Sequence, residues 1–191
     1  MCGIVGYCGN KNASQILING LKKLEYRGYD SAGIAIIDGD DILVRKCKGA
    51  LKFLEEKIAD ETIKGSVGIG HTRWATHGEP SDTNSHPHTS ADGSISIVHN
   101  GIIENYAELK AKLQAEGYVF QSQTDTEVAA QLIAKAYKEE KDIFKAVLKV
   151  LHLIEGSYAL GVVCKDYPDR IISARKESPL IIGLGKGENF I

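Results

Sequence analysis

Met1-Cys2-Gly3-Ile4-Val5-Gly6-Tyr7-Cys8 opens the chain. Residues 3–8 are short, apolar and glycine-flanked, which reads as a buried strand. A cysteine stands directly before it. Removal of the initiator Met is favoured when the next side chain is small, and it would leave a thiol and a free α-amino group on one residue. A free thiol titrates at about 8.5, so little of it is thiolate near neutrality. An α-amino group titrates at about 7.7–8.0, far below a lysine at about 10.4, so part of it is neutral and can accept a proton. Nucleophile and base would then be tied together covalently. The competing reading is a structural cysteine, because unpaired Cys is among the most buried residue types.

Outward from this strand, Ile16, Leu17, Leu21 and Leu24 recur at helical spacing between Asn12 and about Tyr26, with Asn12 as a reasonable N-cap. Arg27-Gly28-Tyr29-Asp30 reads as a loop. Ala32–Asp38 and Ile42–Cys47 flank Asp38-Gly39-Asp40-Asp41, a hairpin signal. A short helix is expected over 50–60 and a strand over 66–72. Residues 73–93 carry no hydrophobic period and are rich in Gly, Pro, Ser, Asn and His, so a long functional loop is expected there. Ser94–His99 alternates as a strand, and Asn100-Gly101 is a standard turn pair after it. Asn105-x-x-Glu108 and Thr124-x-x-Glu127 look like capping boxes opening two helices, the second running to about Glu140. A further helix is expected over 142–152, then three closing strands over 156–165, 170–174 and 180–184. Strands, helices and strands succeed one another without βαβ alternation. That order favours an α+β design of antiparallel sheets with helices segregated to faces.

Composition narrows the function classes. At 191 residues and a net charge of −2, the chain suits a single domain and carries no basic excess for nucleic acid or a membrane surface. No apolar run reaches transmembrane length, and the first apolar stretch stops at Tyr7-Cys8, too soon for a secretory signal. Four cysteines, Cys2, Cys8, Cys47 and Cys164, lack C-x-x-C spacing, which disfavours a zinc ribbon or disulfide framework and fits a reducing cytoplasm. Gly183-x-Gly185-x-Gly187 lacks the spacing and following helix of a dinucleotide fingerprint. The last residues, Asn189-Phe190-Ile191, end without a polar tail, as expected of a piece cut from a longer protein.

Three segments could carry chemistry. His71-Thr72-Arg73-Trp74-Ala75-Thr76-His77-Gly78 places a planar bidentate donor, Arg73, beside an apolar wall, Trp74, a pairing that suits a small carboxylate. A solvated Arg beside a core Trp is the plainer alternative. Asn100 and Gly101 could offer a side-chain and a backbone N–H to an oxyanion, or merely turn the chain. Asp125 at a helix start could hold an ammonium group, or complement the helix dipole. Five of the six histidines fall between His71 and His99, including His86-Pro87-His88. None is paired at i, i+4 on a helix or accompanied by Cys, so loop-ordering hydrogen bonds are expected in preference to a metal.

Taken in order, Cys2–Gly6, Leu24-Glu25-Tyr26-Arg27-Gly28-Tyr29-Asp30-Ser31-Ala32-Gly33, His71–Pro80, Val98–Asn105 and Thr124–Glu127 resemble one family. They are similar to the glutaminase domains of the glucosamine-6-phosphate synthases. These are glutamine amidotransferases with an N-terminal cysteine, within the N-terminal nucleophile hydrolases. The related purine-pathway glutaminases usually have Gln where Tyr29 stands and Tyr-Ser in place of Trp74-Ala75. The resemblance covers essentially the whole chain and implies one domain over 1–191, with sugar-isomerase domains lying outside it. It implies a four-layer α-β-β-α sandwich with two antiparallel sheets packed face to face. It also implies roles: Cys2 as nucleophile with its α-amine as base and later acid, Asn100 and Gly101 as oxyanion hole, Arg73 on the glutamine carboxylate and Asp125 on its amino group. Trp74, Thr76, His77, Arg27 and Gly28 would line or close the pocket. The implied substrate is L-glutamine, with ammonia passed to fructose 6-phosphate bound elsewhere in a homodimer or higher oligomer. No metal or organic cofactor is implied. The alternatives are a glutaminase domain of the purine or asparagine pathway, a non-catalytic glutamine-binding module that keeps Met1, and a metal or redox module.

Overall fold

A computed structural model of the chain describes residues 2–74 and 78–191. Thr76 and His77, both expected to line the pocket, therefore lie outside the described residues. The elements are β1 (Gly3–Cys8), α1 (Ala13–Leu24), a 3₁₀ turn (Glu25–Arg27), β2 (Ser31–Asp38), β3 (Asp41–Lys48), α2 (Leu51–Ile58) and β4 (Val67–Arg73) in the first part. Then come β5 (His88–Thr89), β6 (Ile95–Ile103), α3 (Tyr106–Ala115), α4 (Asp125–Glu140), α5 (Ile143–Leu151), β7 (Gly156–Cys164), β8 (Ile172–Lys176), β9 (Gly183–Leu184) and β10 (Asn189–Phe190).

The strands form a six-stranded sheet ordered β3-β2-β4-β1-β10-β9 and a four-stranded sheet ordered β5-β6-β7-β8. The strand pairs in both are antiparallel. Alternation along the strands sorts their side chains into layers. Ile34 and Ile36 of β2 pack with Leu17 and Leu21 of α1 and Leu51 and Leu54 of α2 on one outer face. Ala35 and Ile37 face the other way and meet Val67, Ile69, Val98 and Val163 between the sheets. Ile95 and Ile97 of β6 pack under α4 and α5 with Val128, Ile133, Ala146 and Val147. The result is an α-β-β-α sandwich. Both faces of β2 are covered, so its sequence is a continuous apolar run rather than an alternating one.

Several local expectations hold. Asn12 caps α1 by accepting from the Gln15 N–H, and the helix expected over 142–152 is α5, capped by Asp142 accepting from the Lys145 N–H. The β2–β3 hairpin closes with Asp38 opposite Asp41. Others are corrected. Asn100 and Gly101 do not turn the chain: β6 runs on to Ile103 because β7 offers partners throughout, with Asn100 opposite Ala159 and Gly101 opposite Tyr158. Neither capping box forms. The Asn105 side chain instead bridges Leu153 and Glu155, and Glu127 accepts from the Gln121 and Ser122 N–H groups, tying down the chain before α4. The 78–93 segment is irregular but anchored, with β5 pairing to β6 within it. The strand expected over 180–184 is only Gly183–Leu184, and with β10 it closes the six-stranded sheet beside β1.

Candidate active site

Strand parity brings the site together. On β4, Val67 and Ile69 face the gap between the sheets, so His71 and Arg73 continue that face. Ile4 on β1 faces the same gap, and Cys2 is two residues before it. On β6 Val98 faces in, and Asn100 follows two residues on. The register sets Gly3 opposite Thr72 and Ser31 opposite Arg73, so the ends of β1, β2 and β4 meet at one edge of the sandwich. The N-terminus of α4 reaches the same edge from the other side. A cavity of about 40 Å³ results, lined by Cys2, Arg73, Trp74, His86, His99, Asn100, Gly101, Thr124, Asp125 and Thr126. The structure thus brings Cys2, Arg73, Trp74, Asn100, Gly101 and Asp125 together on one cavity. Arg27 and Gly28 lie outside this lining.

The Cys2 Sγ accepts from the Trp74 N–H at 3.2 Å and lies 3.6 Å from the Trp74 carbonyl oxygen. Burial pushes its thiol pKa above the ordinary value, and the nearby Asp30 carboxylate acts in the same direction, against the Trp74 N–H. The amino terminus and Arg73 pull the other way, and the net direction favours the thiol over the thiolate.

Asn100 Nδ2 donates to the Cys2 carbonyl at 3.3 Å, while its Oδ1 is 2.9 Å from His71 Nε2. Gly101 has φ 132°. A Cβ there would come within 2.1 Å of the Ser157 carbonyl oxygen, so a side chain is excluded both by conformation and by the adjacent strand. Arg73 is 4% exposed and donates from Nη2 to the Gly78 carbonyl at 3.2 Å, holding the returning loop. Asp125 Oδ2 accepts from the Ile103 N–H at 2.8 Å, which ties α4 to the end of β6.

Arg27 borders a second cavity of about 190 Å³, with Cys2, Leu24, Asn100, Leu180 and Ile181 among its other lining residues. Gly28 is pressed against the β4 backbone. A Cβ there would lie 2.8 Å from the Arg73 carbonyl carbon.

Four of the histidines expected to order the loop by hydrogen bonding are buried and back the site. His86 stacks on His71 with ring centroids 4.2 Å apart. His86 Nδ1 accepts from the His99 N–H at 3.3 Å, His88 Nε2 pairs with the Thr124 hydroxyl at 3.0 Å, and His99 Nδ1 with that of Thr126 at 3.0 Å. Burial drives their pKa values down: His71 to about 4, His86 and His88 well below the ordinary value, and His99 downward against the pull of Asp125. These rings are neutral hydrogen-bonding spacers at physiological pH. Lys46 was missed. Its Nζ donates to the carbonyls of Thr83, Ser85 and Pro87 at 3.1, 2.8 and 3.2 Å, fastening the loop that carries His86. Strand parity was the signal for His71; nothing local in the sequence marks Lys46.

The sequence profile of a glutamine amidotransferase domain matches residues 71–191. The chain belongs to that family. It is 62% identical over 191 residues to a glutamine–fructose-6-phosphate aminotransferase (isomerizing) of Caldanaerobacter subterraneus, and 61% identical to that of Clostridium tetani. Each match takes in 100% of this chain and 31% of the relative, so the chain spans about a third of their length. Among solved structures, the B. subtilis glutamine phosphoribosylpyrophosphate amidotransferase superposes with a TM-score of 0.85 and 28% identity, over 100% of this chain and 41% of that one. The likeness confirms the α+β sandwich of two antiparallel sheets. No described helix is long and apolar enough to cross a membrane.

Proposed function

We propose that this chain is a glutaminase domain that hydrolyses L-glutamine to glutamate and ammonia through a thioester on Cys2. The carrying observation is the convergence of Cys2, Arg73, Asn100, Gly101 and Asp125 on one cavity. Once Met1 is removed, the neutral α-amine of Cys2 takes the thiol proton. The thiolate adds to the carboxamide carbon, and the oxyanion that forms accepts hydrogen bonds from Asn100 Nδ2 and the Gly101 N–H. The amine returns its proton to the leaving nitrogen, the C–N bond breaks, and ammonia departs. Water then cleaves the thioester to glutamate and the free thiol. A half-buried sulfur whose surroundings favour the thiol gives this built-in base its role. Arg73 binds the α-carboxylate and Asp125 the α-ammonium, with Trp74, Thr76, His77 and the Arg27-Gly28 turn closing around the substrate.

The 61% and 62% relatives support fructose 6-phosphate as the ammonia acceptor over a purine-pathway acceptor, whose representative is 28% identical. In this reading the acceptor binds sugar-isomerase domains of a longer protein, residues 1–191 form the glutaminase domain alone, and the assembly is a cytoplasmic homodimer or higher oligomer.

Ammonia release from glutamine by the wild-type chain and by Cys2→Ala, alongside intact mass, tests the reading. The expected outcome is a wild type lighter by one Met that releases ammonia, and a Cys2→Ala protein that does not. A wild type that retains Met1 and still deamidates at full rate would overturn it, because an amide nitrogen at Cys2 is no base.

A further inference from the structure

We infer that His71 is a positioning residue for the oxyanion donor: its Nε2–H fixes the Asn100 amide so that the Nδ2 group, and not Oδ1, faces the cysteine. The inference rests on the glutaminase reading for its consequence, but its geometry stands alone.

Three contacts and one unpartnered ring nitrogen decide the proton. Asn100 has two chemically different ends, and one of them meets the Cys2 carbonyl oxygen at 3.3 Å. A carbonyl only accepts, so that end is the NH₂ group. The other end, Oδ1, is then an acceptor, and it sits 2.9 Å from His71 Nε2. A second acceptor, the His99 carbonyl, lies 3.2 Å from the same nitrogen. Two acceptors converging on one ring nitrogen require a proton on it. The other ring nitrogen, Nδ1, is buried with no hydrogen-bond partner among the described residues. A bare acceptor is the tolerable state for it, whereas a buried N–H there would be a lost donor. The neutral Nε2–H tautomer satisfies every contact.

The ring cannot swing away. His71 is 1% exposed. It lies on the face of β4 that looks across the gap to β6, and the His86 ring stacks on it at an interplanar angle of 19°. Without this donor, among the described residues only the Cys2 carbonyl hydrogen-bonds to the Asn100 amide and distinguishes its two ends. A 180° flip would turn a lone pair toward the developing oxyanion, where a donor is needed.

The test uses two amides that differ in reach by one methylene. In His71→Gln the amide nitrogen falls near the place of Nε2 and keeps the donor. In His71→Asn it falls near Nδ1 and cannot reach Asn100. His71→Asn should lower kcat for ammonia release about 10–100-fold with KM changed less than about threefold, and His71→Gln should recover most of the loss. In an Asn100→Ala background the His71→Asn change should cost less than about threefold further, because the group it positions is gone. Equal losses for Gln and Asn, or the same loss with and without Asn100, would overturn the inference. The activity-independent arm is the His71 tautomer from ¹⁵N chemical shifts of the ring. A proton on Nε2 with bare Nδ1 supports the assignment, and a proton on Nδ1 overturns it. A wild type that releases no ammonia defeats the glutaminase reading and leaves the tautomer to decide this one. Thermal melting of the Gln and Asn variants separates misfolding from mispositioning.

Discussion

The two walls of the cavity are built differently. On the β6 wall the groups assigned to the substrate are already held in place. The Asn100 amide is held at both ends, Gly101 is pinned against Ser157, and the Asp125 carboxylate is bonded to the Ile103 N–H. On the Cys2 wall the sulfur touches only the backbone of Trp74 among the hydrogen bonds described, and the rim beyond it is open. Trp74 is 47% exposed, and Tyr29, which packs on it, 60%. The difference follows from the chemistry each wall serves. Donors that stabilise a developing charge are useful only if no reorganisation is needed at the moment of reaction. A rim that admits and covers a small amino acid must yield.

Breaking the β6 wall should therefore have the largest effect. Asn100→Ala removes one preset donor and is expected to lower kcat by roughly 10²–10³, about 3–4 kcal/mol, with little change in KM. Steady-state kinetics of glutamine hydrolysis checks it. An Asn100→Ala enzyme with wild-type turnover would mean that this wall only shapes the pocket.

The histidine layer joining the walls gives an effect of about the same size or a little smaller, on stability instead of rate. His71 titrates at about 4 in the folded chain because burial penalises the imidazolium. In the unfolded chain it titrates at about 6.5. Between those values the unfolded state binds the extra proton, so stability is complete above about pH 6.5 and falls as the pH drops toward 4. Below that both states are charged and the loss stops growing. The gap between the two values corresponds to a loss on the order of 3 kcal/mol from His71 alone. His86 and His88 act in the same direction. Urea midpoints measured from pH 7 to pH 4 should decline across this window. A flat profile would show that the rings are not buried neutral, and with them the preset character of the β6 wall would go.

How much of this was legible beforehand follows from the range over which each signal acts. The helix of Leu17 and Leu21, the β2–β3 hairpin and the strand at Gly3–Cys8 are local patterns, and each is where the sequence placed it. Asn100-Gly101 misled because a two-residue window sees a turn pair, while the strand continues through it on pairing with β7, more than fifty residues away. Thr124 and Glu127 misled for the same reason. The carboxylate has nearer donors before the helix, and the Thr124 hydroxyl is taken by Ser122 and His88. The cavity residues were legible as family motifs, because hydrophobic period and spacing carry no signal for them. Parity would have placed Cys2, His71, Arg73 and Asn100 on inward faces, but only with the register that sets β1 against β4 and β6 across the gap. Lys46 had no local signal at all, since its three acceptors lie 37 to 41 residues on.

The smallest effect belongs to the open rim, and it sharpens the contrast. Tyr29 meets Trp74 edge to face, with ring centroids 5.3 Å apart. An aromatic pair of this kind contributes about 0.5–1.5 kcal/mol beyond its buried area. Tyr29→Ala should loosen the cover over the substrate and raise KM for glutamine by roughly two- to tenfold, leaving kcat within about twofold. Saturation kinetics separates the two parameters. A hundredfold fall in kcat at unchanged KM would place Tyr29 among the groups that act in the transition state, and the division into a preset wall and a yielding rim would not survive it. A KM effect alone would confine the rim to binding and leave the donors on β6 to act on the reacting carbon.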